Sequence, residues 1–226
     1  MHTETDLAWL RLLQLVSPSL PIGMYSYSQG LERAVDDGWV TDAESAGEWF
    51  GALLGGSIGR VDLPILARLY DAWLVQDREQ VAFWSLTLRA CRETSELRAE
   101  DRHTGQALAK LLIGLGFSEA DIWQHNADAT LATLFSLAAV RWKISKQLAL
   151  SGYAWGWLEN QVLAALKLLP LGQLAGQRIL DNLVVKIPDV IEQALRLDDA
   201  EIGGGLFGLA LASSRHEMQY SRLFRS

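Results

Sequence analysis

Along almost the whole chain, apolar residues return every three or four positions, and no stretch rich in Val, Ile and Thr alternates strictly with period two. This pattern predicts an all-α protein, a single-domain helical bundle of about eight to ten helices. A first helix is expected over residues 6–16, closed by Ser17, Pro18 and Pro21, because proline lacks an amide donor and disfavours helix in the residue before it. A polar, aromatic loop follows to about Ser28. Thr41 and Glu44 have capping-box spacing and predict a helix running to about Gly59. Asp62 and Pro64 then open the next helix, and Asp77 caps the one after it. Ser118 and Asp121 give a similar start signal before a helix expected from Ile122 to Ile144.

The helix expected from Leu150 to Leu169, stopped by Pro170, is apolar on two sides. Leu158, Val162, Ala165 and Leu169 line one face, while Gly156, Leu163 and Ala164 line the opposite one, the pattern of a central helix covered on both sides. Lys167 shares the second face with Asn160. Two readings stay open for it: a cation held near a groove or subunit contact, or one that snorkels to water from a helix end.

Beyond residue 197 the composition changes. Asp198, Asp199 and Glu201 lead into Gly203, Gly204 and Gly205, which do not hold regular structure easily, so the expected division is a helical domain over 1–202 and a glycine hinge with a basic docking segment over 203–226. The last stretch carries Arg215, Arg222 and Arg225 against Glu217. If it is helical, Arg215, Gln219 and Arg222 share one face and His216, Tyr220 and Leu223 another. A flexible C-terminal tail of this kind is either a docking arm that orders on binding or a terminus folded back on its own domain.

Composition narrows the function classes. The formal net charge of −7 argues against general nucleic-acid binding, which needs a basic face. Cys91 is the one cysteine, which excludes an internal disulfide framework and fits a reducing compartment. The start of the sequence, through Glu4 and Asp6, is acidic where a secretion signal is basic, so a cytoplasmic location is expected. Apolar stretches such as Leu134 to Val140, with only Ser136 inside it, fall short of the roughly 20 residues that cross a bilayer, and no membrane partner is expected.

The search for chemistry returns little. His2, His103, His125 and His216 are scattered, with no ligand pair at metal-binding spacing and no phosphate-binding glycine loop, so no stably bound metal or nucleotide cofactor is expected. Gly55 to Gly59 reads G-x-S-x-G around Ser57, followed by Asp181 and His216 in hydrolase order, but a nucleophile elbow requires a strand before the serine and the local pattern is helical. Asp36 with Asp37, and Glu32 with Asp36, read as solvated acids. The run Arg89, Arg92, Glu93, Glu96, Arg98, Glu100, Asp101 and Arg102 alternates in sign and reads as surface ion pairing. Nothing here demands catalysis, and the chain is not expected to be an enzyme.

Three segments, in order along the chain, carry a resemblance. They are LLQLVSPSLPIGMYSYSQGLE from residue 12, with Leu20, Pro21, Gly23, Tyr25, Ser28, Gly30, Leu31 and Glu32; QVLAALKLLPLGQLAGQ from residue 161, with Lys167, Pro170, Gly172 and Gln173; and the terminal SRHEMQYSRLFRS. Together with CRETSELRAED at residues 91–101, they resemble the urease accessory protein F (UreF) family. Met24 stands where glycine is frequent in that family, and Gly208 to Leu211 replaces a more polar stretch.

The resemblance implies an all-helical homodimer with no activity of its own, acting as a non-catalytic scaffold between accessory protein D (UreD, also called UreH) and the GTPase UreG. That complex delivers nickel to apo-urease, so nickel is handled transiently by the assembly and not held as a cofactor. The residues matched to partner binding are Tyr25 and Lys167, on or near the GTPase face, Glu32, and in the tail toward protein D Arg215, His216, Glu217, Tyr220 and Arg222. An alternative within the same resemblance is a regulator of UreG that supplies an arginine, Arg215 or Arg222, to the transferring phosphoryl group. A direct nickel carrier is a third reading.

Overall fold

The structure is a computed structural model that describes residues 4–226. His2 lies outside the described residues. Among the described residues there are ten α-helices, short 3₁₀ turns and no strand, as the periodicity predicts. The helices are α1 (Glu4–Leu15), α2 (Leu31–Asp36), α3 (Ala43–Leu74), α4 (Arg78–Ala90) and α5 (Ser95–Gly114). After them come α6 (Leu131–Arg141), α7 (Lys146–Leu168), α8 (Gln173–Val184), α9 (Ile187–Arg196) and α10 (Phe207–His216).

Several helix ends follow from local chemistry. Asp77 caps α4 by accepting from the Gln80 amide, as predicted, and Thr94, Thr130 and Ser145 do the same for α5, α6 and α7. The capping box at the start of α3 is made by Asp42 and Ser45, one position on from the expected Thr41 and Glu44. The serine hydroxyl is close enough to take the Thr41 and Asp42 amides as well, which a glutamate at position 44 does not match. The helix predicted from Ile122 is instead a 3₁₀ turn over Ser118–Trp123, and α6 starts afresh behind its own cap, Thr130.

The largest departure is α3. The expected break between Gly59 and Pro64 does not occur, because residues Leu54–Asp62 widen into π-helical turns that lead directly into Leu63–Leu74. The Leu63 amide reaches back to the Ile58 carbonyl, so the ladder has already changed step before the missing N–H of Pro64. Glycines serve close packing here. A Cβ on Gly59 would lie 2.7 Å from the Val190 side chain, and one on Gly56 2.8 Å from Leu206. The resulting 32-residue helix is long and apolar enough to cross a bilayer, which counting uninterrupted runs did not register; 67% of its most apolar window is buried by other helices of the bundle. That is the position of a core helix.

Helix α7 is the central one, in contact with α1, α2, α3, α6, α8 and α9. Its first predicted face is covered as expected: Leu158, Val162 and Ala165 are buried. On the other face Ala164 is buried while Leu163 stays exposed.

Candidate partner-binding site

The core holds a buried charge cluster that positions everything above it. Arg92 grips Asp62 through both terminal nitrogens, at 2.6 and 3.0 Å, and donates from Nε to Asp101 at 2.6 Å. The Tyr153 hydroxyl adds a bond to Asp62 at 3.2 Å. Burial works against the Arg92 charge, but Asp101 and Asp62 outweigh it and hold the guanidinium well above its ordinary range. The expectation of a solvated ion-pair run over residues 89–102 is therefore corrected. Arg92, Glu96, Glu100 and Asp101 turn inward, because their partners come from α3 and from the two ends of the chain.

Next to this cluster, one residue before Asp101, Glu100 accepts from the Gln29 side-chain amide at 2.8 Å and from the Ser226 hydroxyl at 3.0 Å. Burial raises its carboxyl to about 7. Glu100 also lines a cavity of about 70 Å³ that reaches from Arg92, Asp62 and Asp101 out to Tyr25 and Leu163.

Of the two readings left open for the flexible tail, the structure has the second: the tail is folded back on the body. The glycine stretch is fastened from both sides. The Gly203 amide donates to the Arg60 carbonyl at 3.2 Å, Arg60 reaches the Glu201 carbonyl at 3.3 Å, and Arg68 holds Asp199 and the Leu197 carbonyl. Helix α10 then lies against α2 so closely that a Cβ on Gly30 would come within 3.1 Å of the Ser213 amide. Gly30 also has φ 75°, a left-handed value, so both space and backbone conformation require glycine there.

Past His216 the helix ends, so the two helical faces expected for residues 215–223 are not formed. Glu32 draws the last residues into an extended course: its two oxygens accept the amides of Leu223 at 2.7 Å and Phe224 at 2.8 Å. The Ser28 amide and hydroxyl both donate to the Ser226 carbonyl, at 2.8 and 2.5 Å, and the Arg225 amide donates to the Ser26 carbonyl at 2.8 Å. The tail thus runs alongside the loop 23–29 and fixes its backbone.

Seven of the eight residues marked from the sequence enter this arrangement through their side chains. Glu32 and His216 are buried beneath the tail. Glu217 sits at the start of α5, accepting from the Ser95 hydroxyl at 2.6 Å and the Ser95 amide at 2.9 Å, contacts that hold its carboxyl below the usual range. Arg222 pairs with Glu96 at 2.6 Å, and Arg215 pairs with Asp37 at 2.9 Å while lying over the Trp39 ring. The Lys167 ammonium lies 5.4 Å from the Phe224 ring centre and 6.0 Å from that of Tyr25, which joins α7, the tail and the loop. Tyr220 is the eighth and projects fully into solvent, so it does not share a surface with His216.

Sequence reading missed Glu96 and Phe224, which complete the site. Phe224 is 5% exposed, and an aromatic residue in a short basic tail was the available signal. The hydrolase alternative loses its geometry: Ser57 lies in the π-helical stretch within α3, not on a strand-to-helix elbow, and His216 is enclosed by Glu32 and Glu96. Among the described residues no three His, Cys, Asp or Glu side chains converge as a metal site.

Comparison with known proteins bears on the same segments. The UreF family profile matches residues 40–184. A urease accessory protein UreF from Alkalilimnicola ehrlichii is 54% identical over the full length of both chains. The chain belongs to the UreF family. Proteins of the same name from Teredinibacter turnerae and Hahella chejuensis are 49% and 44% identical, over 96% and 97% of this chain and 98% and 99% of their own. The protein is a urease accessory protein.

Proposed function

We propose that this UreF-family chain is a non-catalytic scaffold of urease maturation in the cytoplasm. Its docked tail and its Tyr25 loop form one surface offered to accessory protein D (UreD, or UreH) and the GTPase UreG, and nickel passes to apo-urease through that assembly. The observation that carries this reading is the division of labour within the tail. Its hydrogen-bonding groups face inward, onto Glu32, Glu96, Ser28 and Glu100. Apart from the buried Phe224, its large apolar groups face outward, with Met218 87% and Leu223 64% exposed beside a fully exposed Tyr220 and a 62% exposed Tyr25. Exposed Met and Tyr side chains on a fixed backbone suit a protein contact.

The regulator reading asks for an arginine free to reach a phosphoryl group. Arg215 and Arg222 are both tied to carboxylates, which favours the scaffold. The exposed Leu7, Leu10 and Leu13 on α1 support a homodimer, as apolar area that a second copy would cover.

The test keeps the fold intact. Ser213 and His216 are buried, so removal of residues 218–226 or the exposed double change Met218→Ala/Tyr220→Ala is preferable to a longer deletion. Either variant is expected to lose capture of accessory protein D, by about tenfold or more for the double change. Undiminished capture by both would overturn the scaffold reading.

A further inference from the structure

The inward turn of Glu96, Glu100 and Asp101 strips acids from the outer side of α5. Arg102 follows them directly in sequence, and among the described residues it has no carboxylate within ion-pair distance. A run of alternating sign, balanced on paper, is therefore basic where it meets water.

The end of the tail adds to this side. The Tyr27 hydroxyl lies 3.1 Å from His103 Nδ1 and is also met by the Arg225 guanidinium, with Arg102 near enough to act on it electrostatically. Burial, with the charges of Arg102 and Arg225 adding to it, holds the His103 imidazole below its ordinary pKa, as expected where cations collect. Two exposed lysines extend the region. Lys110 stands seven residues after His103 on α5, so it falls on the same face, about 10 Å along the helix axis. On the other flank the Lys167 ammonium lies 5.4 Å from the ring centre of Phe224, the neighbour of Arg225.

Like Arg102, the side chains of Lys110, Lys167 and Arg225 have no carboxylate partner among the described residues. The nearby acids do not offset them: Glu100 turns inward to Gln29 and Ser226, and Glu159 on α7 is half-buried. Four uncompensated cations thus share one side of a chain whose formal net charge is −7. Like charges held close together repel, and an arriving acid relieves that repulsion.

We propose that this basic face, running from Lys167 across Arg225 and Arg102 to Lys110, is the docking site for an acidic segment of a protein partner, with carboxylates seated on Arg102 and Arg225. A protein segment suits it better than a nucleic acid, because the acidic remainder of the surface repels a long polyanion while a short acidic stretch needs only the patch. The proposal rests on the docked tail being a partner surface, since Arg225 comes from it. Exposed ion pairs are individually weak, so the face acts mainly through the association rate and through a strong dependence on salt.

The experiment titrates the full-length, ¹⁵N-labelled chain with a short poly-L-glutamate. Amide signals around Arg102, His103, Lys110 and Arg225 are expected to shift, and added salt is expected to reverse the shifts. Arg102→Gln and Lys110→Gln, both on α5 and outside the hydrogen bonds of the tail, should each weaken binding by about threefold and together by about tenfold. Lys186→Gln, the same loss of charge at the exposed junction of α8 and α9, should leave it unchanged. Equal binding by the parent and the double variant overturns the proposal, and so does a single-stranded oligonucleotide of equal charge that binds the same face more tightly than poly-glutamate. Capture of accessory protein D and of UreG is measured alongside, with hydrogen exchange across residues 218–226 confirming that the tail stays docked. Undiminished capture by Arg102→Gln/Lys110→Gln, with loss in Met218→Ala/Tyr220→Ala, removes the basic face and leaves the scaffold reading standing. The reverse pattern removes the exposed tail groups from the scaffold reading and upholds the basic face.

Discussion

Two polar networks lie close together in this protein, and they are built on opposite plans. The Arg92 cluster joins α3, α7 and the α4–α5 region, all parts of the helical body, and its two bonded carboxylates come from helices fixed by apolar packing. The Glu32 network draws most of its members, His216, Arg222 and two backbone amides, from the last eleven residues. Losing one arginine in the first network strands charge inside the core. Losing one carboxylate in the second lets the remaining partners move into water. A buried network is therefore a permanent strut when core helices own both ends, and a reversible clasp when a terminal segment owns one.

Breaking the first network should have the largest effect. Arg92→Met leaves Asp62 and Asp101 facing each other in the core, and a loss of about 3–5 kcal/mol in global stability is expected, read as a lowered midpoint of urea unfolding. A variant as stable as the parent would mean that the cluster is not a strut. Glu32→Ala should cost less and act elsewhere. Charge-assisted bonds to two amides and to His216 disappear, a loss of roughly 3 kcal/mol confined to tail docking. Hydrogen exchange should then accelerate across residues 218–226 and the loop 23–29 while the midpoint of global unfolding barely moves; if both regions open together, the contrast between strut and clasp fails.

The smallest expected effect concerns the border between the networks. Glu100 touches the tail through Ser226 and the body through Gln29, and its carboxyl is raised by burial to about 7 in the folded protein against about 4.5 when unfolded. The folded state therefore holds more protons between these values, so this group makes stability greatest below about pH 4.5 and lowers it as pH rises toward 7, by at most about 3 kcal/mol. Glu100→Gln should flatten that slope in a series of unfolding curves. A slope unchanged by the substitution would assign it to other groups.

Much of the helical body was legible, since Asp77 and the prolines after Val16 act on neighbours within a few residues. The continuity of α3 was not, because glycine and proline normally mark a break and the π-helical step that absorbs Pro64 leaves no mark in the pattern. The run from Arg89 to Arg102 misled for a different reason. Alternating charge shows which signs are available on one helix, but Asp62 lies 30 residues from Arg92 and Arg222 lies 126 from Glu96. The same limit applied to the site: motif resemblance marked Glu32, Lys167 and the tail, and only the fold brought Glu96 and Phe224 in to join them.

The widened turns of α3 have one more consequence. An α-helix advances about 100° per residue, so the number of residues between Leu54 and Asp62 sets the angle between the half that packs on α8 and the half that packs on α4 and α6. Shortening this stretch by a single residue would rewind it toward regular geometry and swing Leu63–Leu74 around the helix axis, carrying its apolar side away from α6. The phase of the whole bundle is written in the length of nine residues, and there an insertion or deletion does more harm than a change of side chain.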